Sequence, residues 1–176
     1  TSENPYANPI AKHPFNVGYD LNHESAATRY FSKRVMQYWL EEYKIDGFRF
    51  DLSKGFTQVD NLDNVGAWGS YDASRIAIWK NYNNFIRSID STAYVILEHF
   101  ADNSEERVLV NEGMLIWGNM NHEYNEATMG YNSDLRGVLA SQRGFSQRNL
   151  IGYMESHDEQ WLMFKNIAFG LSLIHI

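Results

Sequence analysis

The spacing of apolar and polar positions changes several times along the chain. Residues 1–22 hold all three prolines (Pro5, Pro9, Pro14) together with Asn4, Asn8, Asn16 and Gly18, and read as an irregular loop. From Ser25, a suitable N-cap, apolar side chains recur every four residues at Phe31, Val35, Trp39 and Tyr43. Arg29, Lys33, Glu41 and Glu42 fall outside that stripe, so the pattern predicts an amphipathic helix. "IDGFRFDLSKG" (45–55) then reads as a strand, and residues 56–71, with Asn61, Asn64, Gly66 and Gly69, as a long loop. Asp72 can cap a second helix whose Ile76, Trp79, Tyr82, Ile86 and Ile89 are spaced by three or four. "AYVILEHF" (93–100) is a β-branched apolar run, 103–112 a short helix, and "MLIWGNMN" (114–121) another apolar run. A loop, a helical stretch near 132–142 and the strand-like "LIGYMESHD" (150–158) complete the order.

Strands that alternate with helices imply parallel pairing through crossover helices, in a doubly wound sheet or a (β/α)8 barrel. A complete barrel takes roughly 250 residues. With 176 residues and four strands in view, a barrel reading makes this chain about half of one. No sequence repeat or low-complexity segment interrupts the alternation.

Composition narrows the partners. Lysine and arginine total 15 against 22 aspartates and glutamates, the net charge is -7, and no basic run occurs, which argues against nucleic acid or an anionic membrane as partner. Cysteine is absent, so disulfides, thiolate metal sites and thiol nucleophiles are excluded. No apolar stretch is long enough to span a membrane. The 11 tyrosines and 5 tryptophans suit a core or a surface that stacks on sugars. The opening "TSENPYANPIAKHPFNVGYD" carries no signal peptide and reads as the interior of a longer chain. Oligomeric state is not legible.

The apolar strand at 45–55 carries Asp46, Arg49, Asp51 and Lys54. Side chains alternate in a strand, so Ile45, Gly47, Arg49 and Asp51 share one face while Phe48, Phe50 and Leu52 share the other. Asp51 thereby falls at the strand's C-terminal end, where parallel α/β folds place their chemistry. Glu98 holds the corresponding position after "YVIL", and His157 and Asp158 end the last strand. A single strand-end carboxylate is most simply an ion pair or a helix cap, and Arg49 with Asp51 reads equally as a structural salt bridge. Recurrence on three strand ends changes the balance. Two carboxylates across a cleft suit acetal hydrolysis, one attacking the anomeric carbon and one protonating the leaving oxygen. Arg49 would keep Asp51 ionised as the nucleophile, and burial would raise Glu98 toward the range an acid needs.

At these residues the chain resembles the α-amylase family of retaining glycoside hydrolases, family 13. "GFRFDLSKG" is similar to the family's second conserved region at Gly47, Arg49, Asp51 and Lys54, "ILEHF" to the third at Glu98, and "YMESHD" to the fourth at His157 and Asp158. The resemblance implies a partial (β/α)8 TIM barrel, strands four to seven with their helices, over residues 25–170. It makes residues 1–24 the end of a domain B-like loop insertion and leaves 171–176 as an atypical tail. It further implies Asp51 as nucleophile, Glu98 as acid and then base, and Asp158 as transition-state stabiliser. Arg49 and His157 would bind the sugar at the scissile bond and Lys54 the leaving-group side. Gly55 stands where the family often has histidine.

The implied activity is cleavage of α-1,4-glucosidic bonds in starch-like polysaccharides or maltooligosaccharides by double displacement. A transglycosylase, branching enzyme or isomerase would use the same residues, and a non-catalytic glucan-binding relative remains a rival from another class. A metal-dependent hydrolase would need several histidines and aspartates on the inner strand ends, where only His157 and His99 qualify. His99, next to the acid, could reach the site as a substrate-binding group. His13, His23, His99 and His122 show no metal-ligand spacing. The resemblance implies calcium, with ligands mostly outside this stretch, and an extracellular, cell-surface or periplasmic location.

Overall fold

The computed structural model describes residues 3–16 and 18–171, so most of the tail at 171–176 lies outside the described residues. The elements run α1 (Ala26–Glu42), β1 (Gly47–Phe50), α2 (Val65–Trp68), α3 (Ala73–Ile89), β2 (Tyr94–Leu97), α4 (Asn103–Asn111), β3 (Leu115–Asn119), α5 (Asn121–Met129), β4 (Leu150–Tyr153) and α6 (Leu162–Phe169). Short 3-10 turns occupy Ser53–Gly55, Leu135–Val138 and Ala140–Arg143. The strands form one parallel sheet in the order β1-β2-β3-β4. Spatial order follows chain order without the reversal of a doubly wound sheet, so the chain is an arc of a (β/α)8 barrel.

Register separates the two faces of the arc. Gly47 pairs with Tyr94 and Arg49 with Ile96, which puts Phe48, Phe50, Val95 and Leu97 together on the helix side. There they join Ile116, Trp79, Tyr82 and Ile86 of α3, and Leu109 and Val110 of α4, in one core. Each large apolar side chain fully buried in this way contributes about 1.5–3 kcal/mol. The opposite, barrel-interior face carries Arg49, Ile96, Trp117 and Tyr153. Gly47 has a backbone reason: at φ +153 a Cβ there would sit 2.3 Å from the Tyr94 carbonyl oxygen. Asp72 caps α3 as expected, accepting from the Ser74 and Arg75 amides at 2.9 and 3.1 Å.

Three sequence expectations change. The α1 stripe of Phe31, Val35, Trp39 and Tyr43 is exposed, and Thr28, Met36 and Leu40 are the buried positions. The stripe borders an apolar groove shared with Phe48, Phe50 and Phe56, along the edge of β1 that has no strand partner among the described residues. Ser25 occupies the N-cap position, but its hydroxyl donates to the Pro5 carbonyl at 2.6 Å and makes no cap bond. The crossover between β3 and β4 is helical at α5, not near 132–142, which holds only 3-10 turns. The buried positions of α5 are Asn121, Asn125 and Met129, so its inward stripe is mainly polar and no apolar period announces it.

Glu106 on α4 is buried against Arg143. Burial pushes its carboxyl up to about 7, against an ordinary value of 4.5, while Arg143 pulls the other way. The stability this contributes is complete below the lower value and is lost as pH rises through the upper one. Glu106→Gln cannot ionise, and thermal unfolding of the full-length variant is expected to show a smaller fall in Tm across that interval than the parent. An unchanged fall would mean that Glu106 titrates normally.

Candidate active site

Asp51 follows β1 directly, and the chain then turns through Leu52, a non-glycine residue in the left-handed region at φ 44, ψ 44. Phe100, two residues beyond Glu98, is also left-handed at φ 51. Each such residue costs about 1–3 kcal/mol and persists where surrounding bonds hold it. Here they are cross-strand bonds. The Leu52 amide donates to Glu98 Oε2 at 2.8 Å, and the Ser53 amide and hydroxyl both reach the Glu98 carbonyl at 2.9 Å.

Arg49 joins the two carboxylates. Its guanidinium donates to Asp51 Oδ1, lies 3.1 Å from Glu98 Oε1, and rests over the Trp117 ring at 4.9 Å. The environments of the two acids differ sharply: the Asp51 side chain is 69% exposed and that of Glu98 is 9% exposed. Desolvation raises the Glu98 carboxyl above its ordinary range and the nearby Asp51 charge adds to the rise, while the Leu52 amide and Arg49 oppose it. One carboxylate is open to solvent; its partner is buried and favours its proton.

His157 and Asp158 follow β4 and are therefore at the same C-terminal edge of the sheet. Their side chains pair at 3.3 Å and are 65% and 60% exposed. No side-chain bond links either of them to Asp51 or Glu98 among the described residues. Lys54 Nζ donates to the Phe100 carbonyl at 3.2 Å and sits 4.3 Å from the Trp68 ring centre, and burial lowers its pKa.

His99 departs from expectation. It is fully buried behind the site, with Nδ1 2.8 Å from Ser53 Oγ and Nε2 2.6 Å from Glu105 Oε1, so it does not face substrate. Strand alternation accounts for this: Glu98 faces the barrel interior, and the next residue turns back toward the helices.

A cavity of about 310 Å³ adjoins Asp51, with Phe15, Tyr19, Leu21, Leu52 and His13 in its wall. His13 stacks on Trp68 at 5.0 Å and lies where Gly55 leaves room, since a Cβ at residue 55 would stand 2.8 Å from His13 Nε2. Sequence reasoning missed this contact, and it missed Glu159. Glu159 accepts from Asn119 Nδ2 at 2.5 Å, from the Tyr153 hydroxyl at 3.0 Å and from Ser156 Oγ, pinning the segment that carries Asp158 to β3 and β4. Trp117 and Tyr153, tilted against each other with ring centroids 4.8 Å apart, extend the floor beneath Arg49. Alternation in "MLIWGNMN" was the available signal for Trp117. Among the described residues no group of three or more His, Asp or Glu is placed to hold a metal.

The chain is thus of the (β/α)8 barrel class, with an arginine-bridged pair of acids on the C-terminal rim of the arc. The family model described as the alpha amylase catalytic domain matches residues 13–166, and the chain belongs to that family. The chain is 46% identical over 46 residues to a pullulanase of Bacillus subtilis (strain 168), an alignment covering 26% of this chain and 6% of that protein. Over 156 residues it is 29% identical to a 1,4-alpha-glucan-branching enzyme of Solanum tuberosum, covering 77% of this chain and 18% of the enzyme. The crystal structure of a pullulanase complexed with maltotetraose from Anoxybacillus sp. LM18-11 matches with a TM-score of 0.60 at 19% identity, over 93% of this chain and 25% of that one, a likeness of fold. The chain spans less than a fifth of the length of either curated relative.

Proposed function

We propose that the protein carrying this chain cleaves α-1,4-glucosidic bonds in starch-like glucans or maltooligosaccharides with retention of configuration. The observation that carries this reading is Arg49 reaching both an exposed Asp51 and a buried Glu98. A single guanidinium touching both favours the short carboxylate spacing of retaining enzymes over the ~6.5–9.5 Å that leaves room for a water in inverting ones.

In the first step an Asp51 carboxylate oxygen bonds to the anomeric carbon as the glycosidic C–O bond breaks, and the departing oxygen takes the Glu98 proton. In the second, Glu98 removes a proton from water as the water oxygen bonds to the anomeric carbon and the Asp51 ester bond breaks. Both carboxyls are then restored. Arg49 anchors the pair, while Asp158 and His157, exposed on the same edge, hydrogen-bond sugar hydroxyls. Lys54 serves the leaving-group side. Phe15 and Tyr19 offer apolar ring faces to a sugar in the cavity beside Asp51.

A second reading, transfer of the glycosyl group to a sugar hydroxyl instead of water, draws on the similarity to the branching enzyme. Incubating the full-length protein with starch and maltoheptaose, with reducing ends and anomers followed by NMR, separates the two. Hydrolysis predicts new reducing ends released first as the α-anomer. Redistributed chains without new reducing ends would establish transfer, and release of the β-anomer or no reaction on either glucan would overturn the retaining mechanism.

A further inference from the structure

Behind the site lies a cluster of titratable side chains that the two-step mechanism leaves unused. Arg75, Glu105 and His99 are each at most 1% exposed. Arg75 Nε and Nη2 donate to the two carboxylate oxygens of Glu105 at 2.6 and 2.8 Å. Glu105 Oε1 also receives His99 Nε2, and His99 Nδ1 meets the Ser53 hydroxyl. Burial lowers the His99 pKa, and the hydrogen bond to Glu105 holds that carboxylate in its charged form although burial opposes it. The imidazole presents Nε2 to the carboxylate and Nδ1 to the Ser53 oxygen, whose hydroxyl donates to the Glu98 carbonyl.

Three side chains meet the two residues that follow Leu52: His99 and Arg75 of this cluster, and Trp79 beside it. The Ser53 carbonyl accepts from Trp79 Nε1 at 3.0 Å, the Lys54 carbonyl accepts from Arg75 Nη1 at 3.1 Å, and the Ser53 hydroxyl lies between His99 and the Glu98 carbonyl. Leu52 itself is left-handed, and its amide points at Glu98 Oε2.

Resting on the retaining reading above, we propose that Arg75, Glu105, His99 and Ser53 form a buried positioning relay that holds the Leu52 amide on the Glu98 carboxylate and so sets the acid against Asp51. These are positioning residues: none faces the barrel interior, and they act through Ser53 and Leu52. A hydrogen bond to the ionised carboxylate favours ionisation, so releasing the amide makes Glu98 hold its proton to higher pH. The group that must be protonated for the first step then remains so further into the alkaline range.

Arg75→Ala would test this directly but leaves Glu105 buried without its ion-pair partner, and loss of folding would mask the result. Ser53→Ala removes one hydroxyl, and Trp79→Phe removes one indole donor to the same residue. In the full-length protein the double variant is expected to lower kcat by about 10- to 100-fold with KM little changed, as for a small displacement of a reacting group. Its alkaline kcat limb is expected to move to higher pH, with Ser53→Ala intermediate. A loss of folded protein alone would lower the active fraction without moving the limb. Carboxyl-carbon NMR titration of Glu98 provides a readout that needs no turnover. A higher midpoint in the double variant than in the parent supports the relay, and an unchanged midpoint in a folded variant overturns it. If the parent acts on no glucan, the retaining reading fails, while the NMR titration still decides the relay.

Discussion

Asp51→Asn in the full-length protein is expected to reduce kcat on starch by on the order of 10⁴- to 10⁶-fold, because the amide cannot form the glycosyl ester and the residual rate comes from binding alone. Glu98→Gln is expected to lose less, about 10²- to 10⁴-fold, as befits removal of a proton transfer. The two losses can be told apart chemically. Fluoride leaves without needing a proton, so α-maltosyl fluoride spares Glu98 its role as acid. Glu98→Gln should therefore form the glycosyl-enzyme from the fluoride rapidly and stall before hydrolysis, visible as a burst of fluoride followed by a slow phase. Asp51→Asn should show no burst. The exposure of Asp51 and the burial of Glu98 lead to this division of labour. Wild-type rates on starch in either variant, or a burst from Asp51→Asn, would remove these residues from the proposed roles.

Much of this geometry is legible in "IDGFRFDLSKG", because a strand's period of two needs only local sequence. Phe48 and Phe50 pack toward the helices and Arg49 turns to the other face, as alternation requires. The four strands and the Asp72 cap are likewise local features. What the sequence hid depends on tertiary context. The apolar stripe of α1 is real as a pattern, but its side chains border the open edge of β1, and Met36 and Leu40 take the core positions. α5 presents Asn121 and Asn125 inward, where Asn121 Nδ2 bonds the Met154 and Gln160 carbonyls, so a polar stripe does the work that an apolar one usually does. Nothing local marks Glu159, since Asn119, its partner, lies 40 residues away in sequence. His99 was assigned to the substrate face through its neighbour Glu98, although adjacent strand residues face opposite ways.

Arg75→Met is expected to cost about 3–5 kcal/mol, the range for leaving one member of a buried ion pair alone. That is a large part of the ~5–15 kcal/mol that holds a typical domain folded. Arg75 is 1% exposed and places donors on Glu105 and on the carbonyls of Lys54, Trp68 and Ser70, so a methionine leaves an ionised carboxylate without its cation and the Trp68 and Ser70 carbonyls without that donor, while the Lys54 carbonyl keeps Trp68 Nε1 at 3.0 Å. The double variant Arg75→Met/Glu105→Leu distinguishes a simple ion pair from a hub. An isolated buried pair can often be replaced by apolar residues with little loss or even a gain. Here the exchange would also orphan the Asp72 amide, which donates to Glu105 Oε2 at 2.8 Å, and His99 Nε2. Each stranded group costs about 1–3 kcal/mol, so the double variant should recover only part of the loss. Urea unfolding of the parent, both single variants and the double variant, followed by tryptophan fluorescence, gives the comparison. A double variant as stable as the parent would show that Arg75 and Glu105 serve only each other.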